Sequence, residues 1–181
     1  MLINLNGWPG AGKLTVGRVL AKELGGRLLD NHTILNVASA LAEQGSQQFY
    51  DLARAVRSAA FDCILKLPAT APIVLTNVVA RGGTSGFLEE NWQAIINLAE
   101  LRGCDLYSVI LVCSGEENAR RVVAEARALL RKNRDPDFLV NLTRTRTLFD
   151  DGATFRTSID NTGLPPEECA NRIHSWINEQ T

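Results

Sequence analysis

The chain of 181 residues is poor in the residue types that several common protein classes require. It has four cysteines and two histidines. No C-x-x-C or C-x-x-H spacing occurs, which disfavours a structural zinc site and a disulfide scaffold. No apolar run approaches the roughly 20 residues of a membrane-spanning helix, and the first apolar stretch is too short for a secretory signal. These absences predict a cytoplasmic protein with no membrane partner.

An excess of charge of one sign is also lacking. The chain has 19 basic and 20 acidic residues, a net charge of −1, which argues against a polyanionic partner. The sum hides a local excess, because residues 120–146 contain eight Lys or Arg and three Asp or Glu, a net charge of +5. A basic cluster of this kind suits a compact polyphosphate in a crevice better than a long nucleic acid.

Apolar runs of strand length alternate with longer segments of helical period, a pattern typical of β-α units around a parallel sheet. We predict strands at residues 2–5, 27–30, 72–77, 107–113 and 153–159. We predict helices at residues 13–24, 33–42, 47–67, 86–102, 116–131, 138–149 and 165–179. No repeat, low-complexity tract or linker is visible, so residues 1–181 are expected to form a single α/β domain.

The strongest motif follows the first predicted strand. Residues 7–15 read G-W-P-G-A-G-K-L-T and fit the phosphate-binding pattern G-x-x-x-x-G-K, with a helical pattern directly after it. Glycines let several backbone N–H groups converge on one phosphate, and the N-terminus of the following helix adds partial positive charge. Lys13 is then expected to reach the β- and γ-phosphates.

The string G-x-P-G-A-G-K-x-T resembles the phosphate loop of adenylate kinase and its relatives. These are the small P-loop kinases that include shikimate kinase, gluconate kinase and chloramphenicol phosphotransferase. The resemblance implies a three-layer P-loop NTPase fold with a five-stranded parallel sheet flanked by helices. It also implies transfer of the γ-phosphoryl group of ATP to a hydroxyl of a small acceptor, with Mg²⁺.

On this resemblance, Lys13 is catalytic, and the nucleotide phosphates contact a run of residues in the loop: Gly7, Gly10, Ala11, Gly12, Lys13, Leu14 and Thr15. One departure stands out, because Leu14 occupies the position where a hydroxyl usually binds magnesium. Thr15 is the next hydroxyl and is the candidate ligand for phosphate or Mg²⁺.

Acceptor residues are expected at the ends of the second and third strands, since strand ends of open α/β sheets face the ligand crevice. Asp30 is the candidate general base or magnesium ligand, although it or Asn31 could simply cap the following helix. His32 is a candidate substrate contact, with a surface or packing role as the alternative. Three further candidates for substrate binding follow the third strand: Thr76, Asn77 and Arg81.

A lid is expected at about residues 126–137, with Arg127 and Arg131 catalytic and Arg134 contacting the nucleotide. These arginines would share one face with Arg120 if the predicted helix continued. Arginine suits this role because its planar fork stabilises charge on the transferring phosphoryl group. The alternative is a solvated face, since Glu116 with Arg120 and Glu117 with Arg121 are i,i+4 pairs.

Asn161 and Thr162 follow the last predicted strand and, on the resemblance, belong to a loop whose backbone atoms contact the adenine. The same segment also reads as a turn before a helix.

The third strand ends in Thr-Asn rather than Asp, which argues against a hydrolytic motor, and the absence of N-K-x-D argues against a GTPase. No D-G-x-P-R segment is present, so a nucleotide acceptor is disfavoured. Two alternatives to a small-molecule kinase stay open: a regulatory nucleotide-binding module, and a polynucleotide kinase that uses the basic segment 120–146.

Overall fold

A five-stranded parallel sheet forms the centre of the protein in the computed structural model, which describes residues 1–124 and 136–180. Its strands are β1 (Leu2–Asn6), β2 (Arg27–Asp30), β3 (Ile73–Asn77), β5 (Leu106–Val112) and β7 (Phe155–Asp160). Their order is β2-β3-β1-β5-β7. A separate two-stranded antiparallel sheet pairs β4 (Ala80–Arg81) with β6 (Thr147–Leu148). The predicted five parallel strands are therefore confirmed.

Seven helices are found in the described part of the chain. They are α1 (Lys13–Glu23), α2 (Asn31–Leu41), α3 (Gln47–Leu65), α4 (Phe87–Arg102), α5 (Gly115–Val122), α6 (Pro136–Thr145) and α7 (Pro166–Asn178). Ser46 and Ser114 cap α3 and α5 by accepting hydrogen bonds from the backbone N–H groups of Phe49 and Glu117.

Helices cover both faces of the sheet, because the central strands are apolar on both sides. Alternate residues of β1 point to opposite faces. Ile3 and Leu5 pack in a cluster with residues of α1 and α7, including Leu20 and Ile173. Leu2 packs on the other face with residues of α3 and α4. This three-layer arrangement matches the predicted fold class.

The parallel register brings the carboxyl ends of the strands to one edge. Asn6 pairs with Asn77, and Asp30 pairs with Thr76. Polar side chains that are distant in sequence therefore meet at the edge where β1 leads into the glycine-rich loop.

All seven predicted helices differ from the structure by at least one residue in their bounds, and three of the differences affect the site. Helix α2 begins at Asn31 instead of residue 33, so His32 lies in its first turn. Helix α5 ends at Val122, in a tight turn in which Ala124 N donates to Arg121 O at 3.4 Å. The prediction of an uninterrupted helix over residues 116–131 is therefore wrong. Arg127, Arg131 and Arg134 lie outside the described residues.

The helix predicted at residues 138–149 is also wrong at its C-terminal end. Helix α6 ends at Thr145, and the chain then forms β6 against β4. These two-residue strands are set by tertiary pairing, which leaves no periodic pattern in so short a segment. Within the described residues, no helix combines the length and the apolar character needed to cross a membrane.

Candidate active site

The glycine-rich loop between β1 and α1 has backbone angles that favour glycine. Gly10 and Gly12 have φ angles of +91° and +84°. A Cβ at Gly10 would lie 2.9 Å from Val122 Cγ2. The backbone angles thus favour glycine at positions 10 and 12, and the close approach of α5 also requires it at position 10.

Helix α1 begins directly after this loop, with Gly12 as its N-cap and no side-chain capping bond. Its first backbone N–H groups and the positive end of its dipole therefore face the crevice, as an anion requires. Lys13 Nζ donates to Gly7 O at 2.5 Å and to Trp8 O at 2.9 Å. The loop carbonyls thus hold the lysine ammonium beside the place where phosphates would bind.

Asn161 fastens the loop to the rest of the fold. It is 2% exposed, and its Nδ2 donates to Ala11 O at 2.8 Å. Arg121 donates to Asn161 twice, from Nη1 to Oδ1 at 3.0 Å and from Nη2 to the backbone O at 3.1 Å. The Asn161 side chain is thus bonded to the phosphate loop and to α5, and the residue also lines the crevice. A contact between the backbone of this loop and adenine stays a prediction.

A crevice of about 640 Å³ runs along this edge of the sheet. Most predicted site residues line it: Gly10, Gly12, Lys13, Leu14, Thr15, Asp30, His32, Thr76, Asn77 and Asn161. The structure thus places the phosphate loop and the ends of β2 and β3 around one cavity.

Because β2 and β3 lie at one edge of the sheet, Asp30 and Thr76 lie at one end of the crevice, where they form a direct polar contact. Thr76 Oγ1 donates a hydrogen bond to Asp30 Oδ1. This contact fixes the carboxylate at the end of β2, one residue before α2 begins. Asp30 is also the N-cap residue of α2, but its side chain makes no capping hydrogen bond, so the alternative of a simple cap is not what the structure shows.

The opposite end of the crevice is lined by residues that the sequence patterns left as surface pairs. Arg120 and Arg121 line it together with Glu117. Glu117 accepts hydrogen bonds from both arginines at 2.7–2.9 Å. The hydrogen bonds from Arg120, and then those from Arg121, hold the pKa of the Glu117 carboxyl below its ordinary value. The predicted pair of Glu117 with Arg121 is found, but Arg120 pairs with Glu117 instead of Glu116. Helical spacing could not give the position of these residues, because only the packing of α5 on the loop brings them to the crevice.

Several predicted site residues do not line the crevice. Arg81 pairs with Asp151 at 2.7 Å, and its guanidinium lies 4.2 Å from the centroid of the Phe149 ring. It is held on the β4–β6 side, away from Asp30. Thr162 accepts a hydrogen bond from Ser114 N at 2.8 Å and so joins two loops. Gly7 and Ala11, which the sequence predicts as nucleotide contacts, pack against the rest of the fold. A Cβ at Gly7 would lie 2.6 Å from Leu111 O, and Ala11 is 1% exposed.

The fold and the site together define a class of protein. A parallel sheet with this loop between β1 and α1, a lysine at the helix start and a crevice at the carboxyl edge are the features of a P-loop kinase.

Comparisons with known proteins identify the family. A sequence profile described as shikimate kinase matches residues 9–178, and the chain belongs to that family. It is an ATP-dependent small-molecule kinase. A search of curated proteins found no match.

Solved structures agree on the fold. A protein from Chloroflexus aurantiacus j-10-fl matches with a TM-score of 0.72 at 17% identity, covering 99% of this chain and 97% of that chain. Shikimate kinase from Acinetobacter baumannii, in complex with shikimate, matches with a TM-score of 0.61 at 21% identity, covering 99% and 94%. A gluconokinase from Sinorhizobium meliloti 1021 matches at 0.57 and 16% identity, covering 99% and 96%.

Proposed function

We propose that ATP binds along the glycine-rich loop and that a small hydroxylated acceptor binds beside Asp30. The observation that carries this proposal is the single crevice, which is lined at once by Lys13, Asp30 and Thr76. Holding two reactants in one cavity converts a bimolecular step into an effectively unimolecular one.

The two ends of the crevice differ in charge and thereby suggest which reactant each end takes. Arg120 and Arg121 line one end, next to the loop of residues 163–166. We assign the nucleotide to this end. Asp30, His32 and Asn77 line the other end, and we assign the acceptor to it. Arg127 and Arg131 keep their proposed catalytic role at the transferring phosphate, and Arg134 keeps its proposed contact with the nucleotide.

In the proposed reaction, the acceptor oxygen forms a bond to the γ-phosphorus while the bond from phosphorus to the β–γ bridging oxygen breaks. ADP leaves with the electron pair, and the acceptor hydroxyl gives its proton to the Asp30 carboxylate. Thr76 holds that carboxylate by its hydrogen bond to Oδ1. Lys13 and the backbone N–H groups of the loop stabilise the negative charge on the phosphate oxygens.

A magnesium ion fits the donor chemistry of the crevice. Mg²⁺ prefers oxygen ligands and is usually held by one or two protein groups together with substrate phosphates and water. Thr15 and Asp30 offer a hydroxyl and a carboxylate along the same cavity. In the described residues, no cluster of three or more His, Cys, Asp or Glu forms a protein-only metal site. When bound, the ion would neutralise charge on the β- and γ-phosphates.

The acceptor is proposed to be a small polyhydroxylated molecule. Two structural relatives carry such names, a shikimate kinase bound to shikimate and a gluconokinase. The third strand is followed by no D-G-x-P-R segment, which supports a sugar, acid or antibiotic hydroxyl over a nucleotide.

We also propose that the protein acts in the cytoplasm. Cys63, Cys104, Cys113 and Cys169 are all free thiols in the structure, which suits a reducing compartment that contains ATP.

The decisive experiment is ADP release from MgATP across a panel of hydroxylated acids, sugars, nucleosides and antibiotics. Lys13→Ala should abolish turnover, and Lys22→Ala, an exposed lysine of the same helix, should leave it unchanged. Asp30→Asn should keep ATP binding and lose at least 100-fold in kcat, with Asp62→Asn on exposed α3 surface as its control. Native turnover by Asp30→Asn would refute the assignment of the base.

A further inference from the structure

A buried chain of hydrogen bonds runs from helix α3 to the edge of the crevice. Arg57 Nη1 donates to Asn91 Oδ1 at 3.2 Å. Asn91 Nδ2 donates to Asn77 Oδ1 at 3.0 Å, and Asn77 Nδ2 donates to Asn4 Oδ1 at 2.7 Å. All four residues are less than 9% exposed. The chain thus links α3, α4 and two strands of the sheet through side chains alone.

Arg57 sets the direction of the whole chain. A guanidinium can only donate hydrogen bonds, so Asn91 must turn its oxygen towards Arg57 and its nitrogen towards Asn77. The same constraint then passes to Asn77 and Asn4. Glu90 holds Arg57 in place by accepting from Nη2 at 2.7 Å.

The chain of hydrogen bonds leaves one buried polar atom unpaired at its end, on Asn4. Asn4 Nδ2 is left buried with no hydrogen-bond partner among the described residues. Reversing the amides of Asn4 and Asn77 would pair this nitrogen with Asn77 Oδ1, but Asn77 would then present its nitrogen to the nitrogen of Asn91. An unpaired buried donor is unfavourable, so the fold keeps the direction set by Arg57 in spite of that cost.

Asn77 is the point where this chain reaches the crevice. It lines the cavity directly after Thr76, whose hydroxyl is bonded to Asp30. An amide oxygen can accept two hydrogen bonds, and an amide nitrogen can donate two. Asn77 uses one of each within the described residues, on Asn91 and Asn4. Arg57 on α3 therefore decides, through Asn91, which way the oxygen and the nitrogen of the Asn77 amide point.

We propose that Arg57, acting through Asn91, is a positioning residue that fixes the polarity of the Asn77 amide at the acceptor end of the crevice. The amide so held orients the attacking oxygen beside Asp30. This inference rests on the assignment of the acceptor to that end.

Asn91→Asp tests the proposal by keeping the hydrogen bond from Arg57 and reversing the one to Asn77. A carboxylate at position 91 still accepts from Arg57, but it cannot donate to Asn77. The Asn77 amide is then expected to turn its nitrogen to position 91 and its oxygen to Asn4, and the Asn4 amide to turn with it, so that its unpaired nitrogen donates to Asn77. Asn97→Asp is the matched control, since it makes the same change at an exposed position of the same helix.

Two measurements follow, with MgATP as the probe and water as the acceptor. The side-chain amide resonances of Asn77, assigned by their loss in Asn77→Asp, should move in Asn91→Asp and stay in place in Asn97→Asp. The kcat of ADP release should fall at least tenfold in Asn91→Asp, while the KM for ATP stays within twofold and the melting temperature stays within a few degrees of the native value.

The outcomes separate this inference from the proposed function. If Asn91→Asp and Asn97→Asp show the same kcat, the positioning role is wrong. Joint loss of ATP binding and of thermal stability in Asn91→Asp would also overturn it, since the group would then serve folding alone. If the native protein releases ADP no faster than Lys13→Ala does, with water and with every member of the acceptor panel, the proposed function is wrong and the positioning role is wrong with it.

Discussion

Asn161 offers a quantitative test of how the phosphate loop is held. Its side chain, 2% exposed, joins Ala11 O of the loop to Arg121 of α5 by bonds of 2.8 and 3.0 Å. Asn161→Ala removes both bonds and leaves the carbonyl of Ala11, a residue 1% exposed, without that donor.

The size of the effect follows from these contacts. Leaving a buried polar group unpaired costs about 1–3 kcal/mol, and a hydrogen bond to a charged group contributes about 1.5–3 kcal/mol. Arg121 keeps its bonds to Glu117 and to the backbone oxygen at position 161, so the lower part of the second range applies. We therefore expect a loss of about 2.5–5 kcal/mol in the free energy of unfolding. For a chain of this size, that corresponds to a melting temperature lower by about 5–20 °C.

Urea unfolding and calorimetry measure the stability, and a fluorescent ATP analogue measures binding. We expect the analogue to bind at least tenfold more weakly to Asn161→Ala, because the loop loses its anchor. Asn171→Ala, at an exposed position of α7, is the control and should change neither quantity. A loss below about 1 kcal/mol together with native ATP affinity would refute the reasoning that Asn161 holds the loop.

Two further predictions concern Gly10 in the loop and Glu90, which accepts a hydrogen bond from Arg57 of α3. Gly10→Ala places a Cβ 2.9 Å from Val122 Cγ2 at a φ of +91°, so ATP affinity should fall at least tenfold. Gly25→Ala, also at positive φ but in open space, should leave affinity unchanged, and equal effects of the two would contradict the steric argument. Burial opposes ionisation of Glu90, but hydrogen bonds from Arg57 and a second arginine outweigh it and lower the pKa of the carboxyl from 4.5. A lowered pKa in the folded state gives stability that is present above pH 4.5 and is lost as the pH falls through the folded-state pKa. Glu90→Gln should therefore lower the urea midpoint at pH 7 and converge with the native protein once the pH falls below the folded-state pKa of Glu90, whereas a difference independent of pH would show that charge plays no part.

The glycine-rich loop is the part of the candidate site that local sequence predicts. A phosphate loop needs its glycines and its lysine, here Lys13, within a few residues of one another. The succession of a strand, this loop and a helix therefore predicts where the phosphate site lies without tertiary information. The alternation of apolar runs with helical periods likewise predicted the parallel sheet. Asp30 and Thr76 could be placed because strand ends meet at one edge.

Tertiary structure decided which polar residues reach that edge and which serve the fold. Its charge and its position after the third strand make Arg81 a candidate for substrate binding. Pairing of β4 with β6 instead places it against Asp151 and Phe149. Arg121 reads as half of a surface ion pair until the packing of α5 brings it to Asn161. The buried line from Arg57 to Asn4 leaves no trace in the sequence, because its members lie on four separate elements and meet only after the sheet and helices have packed.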